Sequence, residues 1–95
     1  MDKKFHLVIV TPGKEVFEGP VTSIIAPGSE GYLGVLYNHA PLITGLKKGK
    51  LMIDMPSRGR IEMIIDSGFM EVLNNVVTIL VDRIESEVLS GISKV

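Results

Sequence analysis

The sequence has no cysteine and no tryptophan. Without cysteine there are no disulfides, no thiolate metal ligands and no cysteine nucleophiles, so the fold must rest on a packed core. The lack of thiols fits a reducing compartment. Aromatic residues are scarce, with three Phe and two Tyr, and the histidines are His6 and His39. Neither sign of charge dominates, since ten basic and eleven acidic residues leave a formal net charge of -1. A nucleic-acid binder carries a basic excess or stripe. The nearest approach is Lys47, Lys48 and Lys50, broken by Gly49, which reads as a solvated turn. No apolar run approaches the roughly 18 residues that span a bilayer. Met1-Asp2-Lys3-Lys4 leads straight into a strand-like segment, unlike the longer apolar region and small-residue cleavage site of a signal peptide. The expectation is a soluble domain, held at any membrane by a partner.

What is present is a series of short apolar segments between glycines and prolines. The 95 residues suffice for one domain, and 45% are hydrophobic. Ten glycines and five prolines fall in clusters, often about 8–12 residues apart, the spacing of an all-β sandwich or barrel. Strands are expected at Phe5 to Val10, Glu15 to Glu18 and Val21 to Ala26, with a turn at Thr11-Pro12-Gly13-Lys14 and punctuation at Gly19-Pro20. Pro27 to Asn38 reads as loop and short strand, Leu42 to Leu46 as a strand, and Lys47 to Lys50 as a turn. Leu51 to Met55 and Ile61 to Ile65 alternate, with Leu51, Ile53, Met55, Ile61, Met63 and Ile65 facing inward. Pro56-Ser57-Arg58-Gly59 is their hairpin loop. Phe69 to Leu73 and Val76 to Val81 flank Asn74-Asn75, a hairpin turn for which Asn tolerates the left-handed conformation. The continuous apolar run Val76 to Val81 suggests a strand covered on both faces or packed against a partner. The division is a sandwich over residues 1–84 and a short irregular or marginally helical tail over 85–95, where Leu89 and Ile92 have helical spacing but Gly91 weakens a helix.

The chemistry-bearing residues do not assemble into a reactive set. His6 lies in the first strand, where an outward or edge position is the structural reading. His39 lies in the loop region without a sequence-local carboxylate or metal-ligand spacing. The eleven carboxylates are scattered, and any two could be paired on paper. Gly28 to Gly34 superficially matches a phosphate loop but lacks its lysine and following helix. Neither a metal nor a cofactor is expected. Tyr32, Leu36 and Tyr37 are large side chains in a surface region. Tyr32 and Tyr37 read as contact residues, and for Leu36 contact and closure of the sandwich end stand equal.

The run Pro27 to Thr44, PGSEGYLGVLYNHAPLIT, resembles the signature of F-type ATP synthase epsilon subunits, roughly G-x-E-G-E-L-G-[IV]-x-P-G-H-A-P-L-[IL]-[TS]. FHLVIVTPGKEVFEGPV near the start and SGFMEVLNNVVTILVD further on resemble the same family, so the likeness covers about residues 5 to 83. It implies a ten-stranded antiparallel β-sandwich in the rotating central stalk. It further implies binding to the gamma subunit and the ring of c subunits, and transmission of torque while other subunits do the ATP chemistry. The site it implies is a partner-contact surface of Glu30, Gly31, Tyr32, Tyr37, Asn38, His39, Ala40, Pro41 and Thr44, all at one end of the domain. The location it implies is peripheral, at the cytoplasmic face of the bacterial plasma membrane, with the stromal face of plastid thylakoids as the alternative. The competing readings are a generic β-sandwich interaction module and a small enzyme built on His39.

The chain departs from the pattern at four places. Tyr32 stands where the family has an acidic residue, Tyr37-Asn38 where it has P-G, and Ser67 at the first glycine of G-G-F. Typical members continue into two helices, some with a nucleotide-binding motif. This chain ends at Val95, and Asp82-Arg83-Ile84-Glu85-Ser86 does not match that motif. The expectation is therefore no ATP binding and no helix-mediated inhibition.

Overall fold

The computed structural model describes residues 3–90, and all its regular elements are strands. Ten follow in order: β1 (Phe5–Thr11), β2 (Lys14–Val21), β3 (Ser23–Gly28), β4 (Gly31–Val35), β5 (Leu42–Leu46), β6 (Gly49–Met55), β7 (Gly59–Ile65), β8 (Gly68–Leu73), β9 (Val76–Val81) and β10 (Ile84–Ser90). They pair in one path, β10-β7-β6-β3-β5-β8-β9-β1-β2, with β4 beside β3. The path folds over where β3 meets β5 through the single pairing of Gly28 with Leu46. The inner faces of the two halves then share one apolar core. Leu7 and Ile9, Ile24, Leu51 and Ile53, Met63 and Ile65, Met70, and Ile79 are all essentially removed from water. The alternation seen in the sequence sets this up, because a period of two places every second side chain on one face. Leu51, Ile53, Met55, Ile61, Met63 and Ile65 all point inward as expected. Burying each such side chain is worth about 1.5–3 kcal/mol. Among the described residues no polar or charged side chain is buried.

The tight turns follow their sequence chemistry. Thr11 pairs with Lys14 around Pro12-Gly13, and Gly13 takes φ +87°. That is the requirement of a type II turn with Pro in the second position and Gly in the third. Leu73 pairs with Val76 around Asn74 and Asn75, at φ 52° and 62°, which is the two-residue left-handed turn that matches strand twist.

Three expectations need correction. The sandwich is antiparallel except at one seam, where β1 runs parallel to β9. These strands lie far apart in the chain, so no hairpin dictates their direction. Gly19-Pro20 does not end β2, which continues to Val21. Strand β2 is an edge, where proline leaves no ladder bond unmade. The segment from residue 85 is not irregular or helical as far as Ser90, since Ile84–Ser90 pairs with β7 as β10. Strand β7 is flanked by β6 on one side, and its other edge would leave a row of backbone donors and acceptors unpaired. Ile84 packs against the core at the start of that pairing. The rest of the expected tail, 91–95, lies outside the described residues.

Candidate functional site

Strands β3 and β4 form a hairpin that lifts Glu30 to its tip, with Gly31 at φ +130°. Glu30 is exposed, and Tyr32 at the start of β4 is 55% exposed. The Tyr32 ring nevertheless has a fixed position. The Lys50 backbone N–H donates to its hydroxyl at 3.0 Å. Gly49 lies against the Tyr32 hydroxyl. A Cβ there would sit 2.8 Å from Pro27 Cβ and 2.9 Å from the Tyr32 hydroxyl. The Tyr32 hydroxyl therefore latches the β3–β4 hairpin onto the start of β6.

The connection from β4 to β5 carries the remaining contact candidates. The His39 N–H donates to the Leu36 carbonyl at 3.1 Å, closing a turn whose third residue, Asn38, has φ 64°. Asparagine is among the few non-glycine residues that tolerate this region. Leu36 and Tyr37 point outward, at 63% and 39% exposure, so Leu36 does not close the sandwich end. Lys3 Nζ lies 5.6 Å from the centre of the Tyr37 ring. His39 Nδ1 is 2.7 Å from the Ala40 carbonyl, which can only accept, so Nδ1 donates to it. Ala40 and Pro41 are exposed beside it.

The expected site residues do not form one cluster. Gly31 opposes Gly28, Gly28 pairs with Leu46, and Leu46 pairs with Gly68 at the first residue of β8. Asn38 instead bonds Asn75, just beyond the last residue of β8. The six-residue β8 spans about 17 Å at roughly 3.4 Å per residue, and this separates the two groups. The hairpin tip and the His39 loop therefore sit at opposite ends of the sheet. Thr44 lies between them on the face of its cross-strand partner Met70, which is fully buried.

A surface that no motif announced lies across β5, β8 and β9. Ile43, Phe69 and Leu80 are 74%, 63% and 50% exposed, and Leu73 and Val76 extend the apolar area toward the β8–β9 turn. The register explains it. Phe69 faces Leu80 across the β8–β9 ladder, and Leu73 faces Val76 four residues further along the same face. Glu71 lies between them beside Ile43. A cleft of about 500 Å³ adjoins Phe69 and Leu80, floored by Leu46, Val10 and Val81. The signal available in sequence was the apolar run Val76 to Val81. Val77, Ile79 and Val81 face the core, whereas Val76 and Leu80 face outward. Contiguous outward apolar area on a soluble sheet is the usual mark of a contact surface.

Polar clusters elsewhere are structural. His6 Nε2 lies 2.9 Å from Glu18 on the β1–β2 edge. That hydrogen bond, followed by one with Glu15, holds the Glu18 carboxyl below its usual value, while the charge of Glu18 pushes Glu15 up. Asp54 receives Arg60 Nε at 2.8 Å, Arg60 Nη2 at 3.1 Å and the Ser23 hydroxyl at 2.6 Å, tying β3, β6 and β7 together. No group of three potential metal-ligating side chains converges among the described residues.

The fold and its surfaces define an all-β sandwich domain with a broad outward apolar face. Residues 4–87 match the family described as "ATP synthase, Delta/Epsilon chain, beta-sandwich domain". The chain is 46% identical over 84 residues to the ATP synthase epsilon chain of Pelotomaculum thermopropionicum, covering 88% of itself and 62% of that relative. It is 41% identical over 83 residues to the epsilon chain of Chlorobium limicola, covering 87% of itself and 94% of that relative. The chain thus belongs to the ATP synthase epsilon-chain family. Its fold is also that of a chain in the Euglena gracilis mitochondrial ATP synthase OSCP/F1/c-ring structure. There the TM-score is 0.82 and the identity 24%, covering 86% of this chain and 52% of that one. A chain in the Tetrahymena thermophila mitochondrial central stalk and c-ring structure gives a TM-score of 0.72 and 22% identity, covering 83% and 63%.

Proposed function

We propose that the chain is a non-catalytic rotor subunit of an F-type ATP synthase. In this reading it binds the gamma subunit and the c-ring in the central stalk and couples ion-driven rotation to ATP synthesis. Family membership supports the assembly, and the observation that carries the mechanical role is the outward apolar face of Ile43, Phe69 and Leu80. A rotor subunit needs a broad surface fixed to a rigid body, because a deformable link would dissipate torque. Two sheets sharing one apolar core form such a body, since packed interiors transmit strain with little compression. The latched Tyr32 hairpin and the His39 loop add contact points at opposite ends of that face. The domain is held peripherally through the complex, on the membrane face from which the catalytic head projects. No nucleotide site, metal or cofactor enters this mechanism.

The experiment is reconstitution. Added to a synthase depleted of its epsilon chain, the protein should co-sediment with gamma and the c-ring and restore coupling between ATP hydrolysis and ion pumping. A chain that folds but neither co-sediments nor restores coupling would point to the generic interaction module instead. Tight, saturable ATP binding in a calorimetric titration would overturn the absence of a nucleotide role.

A further inference from the structure

Asn38 and Asn75 are 37 positions apart in the chain and meet through a reciprocal pair of hydrogen bonds. The Asn38 backbone N–H donates to Asn75 Oδ1 at 2.7 Å. The Asn75 Nδ2 donates to Asn38 Oδ1 at 2.9 Å. The Asn75 carbonyl in turn accepts the His6 backbone N–H at 3.0 Å. Both asparagines have left-handed backbones, at φ 64° and 62°, so each turn presents its amide toward the other. The neighbouring Asn74 has the same backbone, at φ 52°, and takes no part in the pair.

We propose that this clasp makes Asn75 a positioning residue, which fixes the Leu36 to His39 turn on the β8–β9 turn so that the two form one partner-docking surface. The proposal rests on the rotor-subunit reading for the identity of the partner. The six-residue connection from Leu36 to Pro41, between β4 and β5, has few other anchors: Val35 before it is buried, the His39–Leu36 bond is internal to the turn, Lys3 lies over the Tyr37 ring, and Leu36, Tyr37, Asn38 and Pro41 are exposed. Unclasped, Tyr37 and His39 would have to be ordered on binding, which costs affinity. Clasped, the turn is held at Asn75, which adjoins Val76 at the end of the apolar face. A glycine at position 38 would satisfy the turn but could not accept from Asn75 Nδ2. Asn38 satisfies the turn and closes the clasp.

The test uses variants that keep the left-handed backbone. Asn75→Gly removes both side-chain bonds, Asn38→Gly removes one, and Asn38→Asp retains both. Asn74→Gly changes the same hairpin turn without touching the clasp and serves as the control. Backbone order parameters for residues 37–39 should fall from the rigid range near 0.85 to below about 0.6 in Asn75→Gly. They should stay at the wild-type level in Asn74→Gly and Asn38→Asp. Affinity for the gamma–c-ring assembly should fall roughly tenfold in Asn75→Gly and by less in Asn38→Gly. The clasp is overturned if residues 37–39 stay rigid in Asn75→Gly or loosen equally in Asn74→Gly. Its docking role is overturned if the loop loosens and affinity does not change. Failure of the wild-type chain to bind the rotor assembly would remove the functional reading and the docking role together, while the order parameters still decide whether the clasp holds the loop.

Discussion

Asp54 ties three strands of the sheet together through Arg60 and Ser23. Its carboxyl is held below the ordinary aspartate value of 3.8, first by the hydrogen bonds from Arg60 and then by the Ser23 hydroxyl. A folded-state value below the unfolded one means that the unfolded chain binds more protons in this window. Stability therefore falls as pH falls. The contribution is complete above the unfolded value and is lost as pH drops through the folded one. Urea titrations between pH 5 and pH 2.5 should show a steeper loss for the wild type than for Asp54→Asn. At pH 7, Asp54→Asn should cost about 1 kcal/mol, a modest figure because the pair is partly solvated. Equal slopes for the two proteins would remove Asp54 from the acid response. Gly68 is constrained by space rather than charge. A Cβ there would overlap the Leu80 carbonyl oxygen and lie 2.8 Å from Val81 Cα. Both atoms belong to the backbone of the paired strand and cannot swing aside. Gly68→Ala should destabilise the fold by at least about 3 kcal/mol, read by chemical denaturation.

Among the strands, pairing on both sides determines which segments stay closed longest. β9 lies between β8 and β1, and β8 lies between β5 and β9, whereas β10, β4 and β2 each have a single neighbour. Amides of Val77 and Ile79 should therefore exchange slowest, near the global unfolding free energy, and those of β4 and β10 fastest. Rapid exchange throughout β9 would contradict the central position assigned to it. The strands legible in the sequence were those whose alternation reports a buried inner face, such as β6 and β7. Their Leu51, Ile53, Met63 and Ile65 fix the register by themselves. Strand β10 was not legible. Its polar side chains Glu85, Ser86 and Glu87 are exposed, and its stability comes from the open edge of β7, which local sequence does not encode. The candidate site was legible as residues but not as geometry. Tyr32 and Asn38 stood out as departures from a pattern. Their partners, the Lys50 amide and the Asn75 side chain, are 18 and 37 positions away and are brought close by strand pairing.

Over the sandwich as a unit, the decisive asymmetry is between its two outer surfaces. Asp54, Arg60, Lys50 and Glu62 form ion pairs on the outer side of β6 and β7, which suits a face turned to water. The outer side of β5, β8 and β9 instead presents Ile43, Phe69, Leu73, Val76 and Leu80 around the single charge of Glu71. Folding gains little from these side chains, because they remain largely in water in the folded domain. Their replacement should therefore leave the isolated chain intact. Phe69→Glu and Leu80→Glu should each change unfolding free energy by no more than about 0.5 kcal/mol, the range typical of surface substitutions. Each should nevertheless weaken association with the stalk by at least about 30-fold, because a charge would have to be desolvated in the centre of an apolar contact. The contact should also depend weakly on salt. With a net charge of -1, the chain has little long-range field to screen. Titrating the labelled gamma–c-ring assembly at low and high ionic strength measures both effects. Wild-type affinity in the Phe69→Glu, Leu80→Glu double variant would show that the stalk is bound through the Tyr32 hairpin and the clasped loop alone.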